Sequence, residues 1–169
     1  SGYLSAPPIA VTSGIKVISV DYGLAPEAPH PAAPKDIVSV YTELLKDYKA
    51  ENIGIYGCSE GGFLSGQSIA WIERAGLPKP GGIGVFGHGL HFLSNADSRI
   101  PGNIYSGAST EELNKPWPKR MIRVRDADLA DPLVIAGSSS ELLSRFPPTL
   151  FVTSTRDMNL SQGVHGHAQ

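Results

Sequence analysis

The sequence predicts an α/β fold in which a mainly parallel sheet carries helices on both faces. Short runs of β-branched and apolar residues alternate along the chain with segments of helical periodicity, and this alternation is typical of sheets built from strand–helix–strand units. A second observation is the glycine-bracketed serine in Gly57-Cys58-Ser59-Glu60-Gly61, which lies between a predicted strand and a predicted helix. The length of 169 residues and the hydrophobic content of 41% fit a single domain over residues 1–169.

Each predicted element follows from its residue pattern. The predicted strands are rich in β-branched and apolar residues and cover Ile15–Val20, Ile53–Tyr56, Ile83–Gly87 and Thr149–Ser154. The predicted helices have apolar residues at helical spacing or begin at a capping box, and they cover Lys35–Tyr48, Gly61–Ala75 and a short segment from Ser138 to Arg145. A further short helix is expected around Ile9–Val11. Small residues in the Gly61–Ala75 helix, such as Gly62 and Gly66, allow it to lie close to the sheet.

Residues 88–135 contain no clear strand and are predicted to form a loop and helix region beside the site. They include one capping box, Ser109 with Glu112, and a break at Pro116-Trp117-Pro118. Asp126, Asp128 and Asp131 form an acidic group without the spacing of a cation-binding loop, so we interpret them as solvated or helix-capping residues.

Ser59 is the candidate nucleophile. A strand, a sharp glycine-flanked turn and a helix form the context in which G-x-S-x-G presents a reactive serine above the edge of a sheet. We expect a strained backbone at Ser59, with the residues two before and two after it too close for a Cβ atom. The backbone N–H of Glu60, at the start of the helix, is then placed to stabilise an oxyanion. The alternative is an ordinary strand–helix turn that contains a serine.

Asp157 is the candidate acid, because it follows the last predicted strand just as Ser59 follows an earlier one. In parallel sheets the chemistry lies at the carboxyl ends of the strands, so both residues are expected at one edge. The alternative role for Asp157 is a helix N-cap.

The remaining polar candidates favour structural roles. His165 and His167 are expected on the helix after Asp157, near its end, and His30 on the surface among prolines; His88 either lines the site or makes a structural hydrogen bond. Cys58, the sole cysteine, is predicted to be a buried, inert thiol. A single cysteine and isolated histidines indicate neither a disulfide nor a metal site, and no cofactor is expected.

A net charge of −2 without a basic stripe argues against nucleic-acid binding. The apolar runs are strand-sized and no signal peptide is evident, which predicts a cytoplasmic protein without a membrane span.

Several stretches resemble the hormone-sensitive-lipase-like carboxylesterases of the α/β-hydrolase fold. They are Val20-Asp21-Tyr22-Gly23-Leu24-Ala25-Pro26-Glu27, Pro31-Ala32-Ala33, Gly57-Cys58-Ser59-Glu60-Gly61-Gly62, Asp131-Pro132-Leu133, Pro147-Pro148-Thr149-Leu150 and Thr155-Arg156-Asp157. The resemblance implies that Ser59 is the nucleophile, Asp157 the triad acid and the Glu60 amide an oxyanion donor. It also implies a small-molecule ester substrate, an acyl-enzyme intermediate, and pockets shaped by residues 88–135.

The chain departs from this family at several points. The family usually has G-D-S-A-G-G at the elbow, whereas Cys58 and Glu60 replace the Asp and the Ala, and Gly23 stands where Arg is common. The family's H-G-G-G stretch and its catalytic His have no counterpart, and the resemblance places them before residue 1 and beyond Gln169. The isolated chain is therefore expected to hydrolyse short esters poorly or not at all.

Two hypotheses follow from these departures. One is a serine carboxylesterase or lipase-like hydrolase whose remaining segments lie outside this sequence or in another chain. The other is a catalytically inactive hydrolase scaffold used for binding or assembly. The resemblance places an absent strand between Ile15–Val20 and Ile53–Tyr56. We therefore expect those two strands not to pair directly, and expect segments outside this sequence, a strand-donating partner chain or a homo-oligomer to fill the gap.

Overall fold

The computed structural model describes residues 2–93, 96–99, 107, 124 and 127–169. Five α-helices and three β-strands are found in these residues. The helices are α1 (Gly2–Ser13), α2 (Ala32–Leu44), α3 (Glu60–Arg74), α4 (Ser140–Leu143) and α5 (Leu160–Ala168). The strands are β1 (Gly54–Cys58), β2 (Gly82–Phe86) and β3 (Thr149–Val152). Short 3-10 helices cover Ala50–Asn52 and Ala136–Ser138.

The three strands form one parallel sheet in the order β1-β2-β3. Gly54 of β1 is opposite Gly82, and Ile83 of β2 is opposite Thr149. Backbone bonds continue the pairing past the strand ends: Ser59 N–H donates to Phe86 O at 2.8 Å and Gly87 N–H donates to Val152 O at 2.7 Å. All three strands therefore end at the same edge, and the segments that follow them meet there.

One face of the sheet packs against α3 and α5, and α2 packs against α3. The main core joins Ile83 and Val85 of β2 with Ile69 and Ile72 of α3 and the buried Tyr41 of α2. Tyr41 is 2% exposed, and its hydroxyl donates to Pro78 O at 2.7 Å. A Cβ at Gly62 of α3 would be 3.1 Å from Gly57 O and 3.2 Å from Phe86 N. The predicted close approach of this helix to the sheet is therefore confirmed.

The opposite face of the sheet is open in the described residues. Leu150 and Val152 of β3, which alternate with the covered Phe151, are 59% and 49% exposed. Beside them, the rings of Tyr56 and Phe86 lie 5.9 Å apart. The parallel sheet with packed helices matches the predicted fold class. Helices were expected on both faces of the sheet, whereas in the described residues α2, α3 and α5 lie on one face.

The predicted strand at Ile15–Val20 is wrong for this structure. Residues 14–24 have no regular secondary structure, and Ile15 and Ile18 are 67% and 43% exposed. A β-branched run forms a strand only where a neighbouring strand pairs with its backbone N–H and C=O groups. Residues 15–20 do not pair with β1, which agrees with the expectation that these two segments do not pair directly. Gly23, just beyond, donates its N–H to Asp36 Oδ2 at 2.9 Å.

Other boundaries differ by a few residues. The short helix expected around Ile9–Val11 is part of the longer α1, and the helix expected over Lys35–Tyr48 begins and ends earlier, as α2. Ser139, not Ser138, caps α4 and accepts a bond from Leu142 N–H at 3.1 Å. Ser138 instead donates its hydroxyl to Ala130 O at 3.0 Å. The other predicted capping box, Ser109 with Glu112, lies outside the described residues, as do the Pro116–Pro118 break and Asp126.

Candidate active site

Ser59 occupies the turn between β1 and α3. It has φ 55° and ψ −120°, and it is the one non-glycine residue with positive φ in the described part of the chain. Such a conformation costs on the order of 1–3 kcal/mol and is kept only where the surroundings impose it. Here the Ser59 N–H is held by Phe86 O, and its carbonyl accepts from Gly62 N–H at 2.9 Å and Phe63 N–H at 3.2 Å. Its exposed side chain stands at the carboxyl end of β1.

The two glycines of the G-x-S-x-G motif, Gly57 and Gly61, have different surroundings. A Cβ at Gly57 would overlap the carbonyl group of Gly61 and come within 2.7 Å of its Cα. No atom of the described residues lies within 4 Å of the position that a Cβ at Gly61 would occupy, so the expected clash two residues after Ser59 is wrong. The physical reason is that α3 starts by passing directly over Gly57, while the missing Cβ of Gly61 points into open space.

Asp157 lies in the loop between β3 and α5. Its Oδ1 accepts the N–H of Asn159 at 2.8 Å, and its Oδ2 accepts the hydroxyl of Thr153 at 3.3 Å. Its backbone carbonyl accepts the Leu160 N–H at 3.0 Å. The Asp157 carboxylate is thus held by bonds from both sides of the loop, while Asn159 occupies the N-cap position of α5.

The structure brings Ser59 and Asp157 to the same edge of the sheet. Ser59 follows β1, Gly87 follows β2, and Asp157 Oδ2 lies 3.4 Å from the position that a Cβ at Gly87 would occupy. The Asp157 carboxylate therefore stands over the end of the strand that neighbours the Ser59 strand. The prediction that both residues share the carboxyl edge is confirmed.

The two residues that flank Ser59 differ in burial. Glu60 is half-buried and is the first residue of α3, so its amide lies at the positive end of the helix dipole. Cys58 is an exposed free cysteine, and the expectation of a buried thiol is wrong. The missing Cβ of Gly57 faces α3, so the side chain of the next residue, Cys58, points to the opposite face of the sheet, which is open in the described residues.

The histidines occupy four different surroundings. His88 is 4% exposed, with Nδ1 2.8 Å from Gly89 O and its ring 5.4 Å from that of Phe63, which fits the predicted structural hydrogen bond. His30 is half-buried beside Trp71, not on the surface. His165 and His167 lie on α5 as expected: His165 is half-buried against His91, whose ring is 4.5 Å away, and His167 is exposed.

An apolar cluster lies one turn along α3 from Ser59. Phe63 packs against Phe92 at 4.6 Å between ring centroids, and both belong to a cluster with Val134 and Ile135. Gln67 of α3, which is fully buried, donates its amide to Val134 O at 2.8 Å and Leu133 O at 3.0 Å. Residues 133–135, at the end of the region 88–135 that is predicted to shape the pockets, are therefore held against α3, the helix that follows Ser59.

Two cavities flank α5, away from Ser59. One of about 270 Å³ is lined by Leu90, Phe146 and Phe151 among others, and one of about 420 Å³ by Asp97 and Val164 among others.

Within the described ranges, His, Cys, Asp and Glu side chains form no group of three or more that could hold a metal ion. The described helices include none that is long and apolar enough to cross a membrane.

The sequence interpretation missed two partners of Asp157. Asn159 and Thr153 hold its carboxylate, and Asn159 also donates its side-chain amide to Gly87 O at 3.0 Å. An Asn two residues after an Asp is a local signal for a turn in which the Asp accepts the later N–H. The bond to Gly87 has no such signal, because it joins segments that only the fold brings together.

Comparison with known proteins finds a matching family model and two kinds of curated relative. A family model described as the α/β hydrolase fold matches residues 6–169. The acetyl esterase of Salmonella typhi is 28% identical over 153 residues, which are 86% of this chain and 46% of that protein. The kynurenine formamidase of Meyerozyma guilliermondii is 39% identical over 72 residues, which are 42% of this chain and 28% of that protein.

Solved structures agree with the sequence relatives. The crystal structure of esterase E25 has a TM-score of 0.82 and 30% identity, and the match covers 99% of this chain and 50% of that one. A hormone-sensitive lipase from a metagenome library has a TM-score of 0.69 and 29% identity over 86% of this chain and 49% of that one. The chain thus spans about half the length of these proteins. With a family model that covers nearly all of its residues, the chain belongs to the α/β-hydrolase fold family.

Proposed function

We propose that this chain is part of a serine carboxylesterase that cleaves small acyl esters through an acyl-enzyme on Ser59. The observation that carries the proposal is the backbone of Ser59, φ 55° and ψ −120°, which presents an exposed hydroxyl at the carboxyl end of β1. An ordinary strand–helix turn gains nothing from a strained serine, whereas a nucleophile gains access to its substrate. The names of the esterase relatives support the same reaction class.

In the proposed reaction, Ser59 Oγ attacks the ester carbonyl carbon while its proton passes to a histidine base. The Glu60 N–H donates to the oxygen that becomes negatively charged, and Asp157 orients the imidazole and stabilises its protonated form. The bond from the carbonyl carbon to the alcohol oxygen then breaks, and the alcohol leaves with the proton. Water attacks the acyl-enzyme in the same manner, which releases the carboxylic acid and restores the Ser59 hydroxyl.

The first experiment asks whether Ser59 is an activated serine. The full-length protein, with the segments that the resemblance places before residue 1 and beyond Gln169, is incubated with a fluorophosphonate probe. The probe forms a bond from phosphorus to an activated serine oxygen and releases fluoride, and the modified residue is located by mass spectrometry. We expect labelling of Ser59 and none in Ser59→Ala. Ser39→Ala is the matched control, because Ser39 is exposed on α2 and donates its hydroxyl to Lys35 O of the same helix; this variant should label as the wild type does.

Turnover of p-nitrophenyl acetate, measured beside the labelling, tests for ester hydrolysis. Hydrolysis that Ser59→Ala abolishes supports the esterase proposal. Absence of both labelling and turnover would instead support the second hypothesis, a hydrolase scaffold used for binding or assembly.

A further inference from the structure

We infer that Asn159 is a positioning residue, which ties the Asp157 loop to the end of β2 and so fixes Asp157 relative to Ser59. The inference rests on the proposed function, in which Asp157 is the acid of the catalytic triad. It adds a residue to that site which does not touch the substrate.

The first part of the argument is that Asn159 makes two bonds in different directions. Its backbone N–H donates to Asp157 Oδ1 at 2.8 Å, and its side-chain Nδ2 donates to Gly87 O at 3.0 Å. The backbone bond is local to the loop, so it fixes the carboxylate only relative to its own turn. The side-chain bond reaches the neighbouring strand, and it ties that turn to the sheet.

The second part is that the bond to Gly87 continues to Ser59. Gly87 directly follows β2, and Phe86, the last residue of β2, accepts the Ser59 N–H at 2.8 Å. A short path of hydrogen bonds thus runs from the Asp157 side chain through Asn159 and the end of β2 to Ser59. Gly87 has φ 60°, a conformation that favours glycine.

The third part is that Asn159 does not fit a purely stabilising role. Asn159 is only 8% exposed, and its Oδ1 is buried with no hydrogen-bond partner among the residues that the structure describes. A buried acceptor without a partner is unfavourable for folding, and a leucine of similar size would avoid it. The role of the Asn159 side chain therefore lies in its donor group, Nδ2. Loss of the Nδ2 hydrogen bond should lower the reactivity of Ser59 more than the free energy of unfolding.

The test compares Asn159→Leu and Asn159→Asp with the wild-type protein. Both variants keep the backbone N–H that binds Asp157, whereas leucine and an ionised aspartate cannot donate to Gly87 O. Asn52→Leu is the matched control, because Asn52 is exposed on the 3-10 helix before β1, at the opposite edge of the sheet. The readouts are the rate constant and apparent affinity of fluorophosphonate labelling at Ser59, and the urea midpoint of unfolding.

We expect both Asn159 variants to label roughly tenfold more slowly, because small misplacements of catalytic groups cost large factors in rate. Their apparent affinity for the probe and the urea midpoint of Asn159→Leu should stay close to the wild-type values, and Asn52→Leu should be unchanged in every readout. Labelling of Asn159→Leu within twofold of wild type would overturn the inference. A rate that falls only in step with the urea midpoint would overturn it as well, since that result means a structural role.

If Ser59 is not labelled in the wild-type protein, the proposed function fails, and hydrogen exchange then decides on the tie itself. The amides of the Asp157 loop should exchange faster in Asn159→Leu than in the wild type and the Asn52→Leu control. Equal exchange in all three proteins would show that the side chain of Asn159 does not hold the loop.

Discussion

The two glycines that bracket Ser59 should respond to alanine in opposite ways. A Cβ at Gly57 would overlap the Gly61 carbonyl group and lie 2.7 Å from Gly61 Cα, all backbone atoms that cannot rotate away. Relief requires β1 and the start of α3 to move apart, and such overpacking typically costs about 1–3 kcal/mol. Gly61 has open space at its Cβ position and lies in α3, where alanine is favoured over glycine by about 0.5–1 kcal/mol.

The two variants should therefore differ by about 2–4 kcal/mol in the free energy of unfolding. Urea denaturation followed by far-UV circular dichroism measures this difference. With a slope of about 2 kcal/mol per molar, Gly57→Ala should unfold about 1–2 M of urea earlier than Gly61→Ala. The structural argument is refuted if Gly57→Ala matches the wild type within about 0.5 kcal/mol, or if Gly61→Ala is equally damaging.

Two further predictions concern the dependence of stability on pH. Burial lowers the pKa of His91 below its usual 6.5, the hydrogen bond that His91 Nε2–H donates to Gln169 Oε1 opposes this shift, and the charge of His165 adds to it. The unfolded state therefore takes up more protons, and stability falls as the pH drops below about 6.5. His91→Gln should flatten that part of a thermal-melting profile, and an unchanged profile contradicts the assignment. The hydrogen bond from Arg145, and to a smaller extent the one from Lys79, lowers the pKa of Glu73 below its usual 4.5. The ionised Glu73 therefore stabilises the folded state above pH 4.5, and this stabilisation is lost as the pH falls through the lowered pKa. Glu73→Gln should lower the melting temperature at pH 7 and narrow its difference from wild type at pH 3, whereas an equal difference at both pH values would exclude an ionic contribution.

The elements that the sequence predicted well are those whose cause is local. The turn at Ser59 follows from residues within a few positions of one another, and its strain and its place at the strand end are as expected. Asp157 was predicted from the strand that it follows, because parallel strands bring their carboxyl ends to one edge.

The features that failed depend on what lies across from a residue in space. Ile15–Val20 has the composition of a strand but pairs with no strand in the described residues, and Cys58 is exposed because its side chain points to the open face of the sheet. The different surroundings of Gly57 and Gly61 depend on which way each missing Cβ points, which the G-x-S-x-G pattern does not encode. Asn159 was missed for the same reason, since its partner Gly87 is distant in sequence.

The parallel pairing of β2 with β3 has a consequence for the order of folding. The register pairs Ile83 with Thr149, so the whole segment between the two strands must be closed into a loop before their first bond forms. Loop closure on this scale slows folding because its entropy is lost before any contact repays it. By contrast, β1 and β2 are joined by α3 alone. We therefore expect β1, α3 and β2 to assemble first and β3 to dock last, carrying Asp157 to the edge where Ser59 already stands.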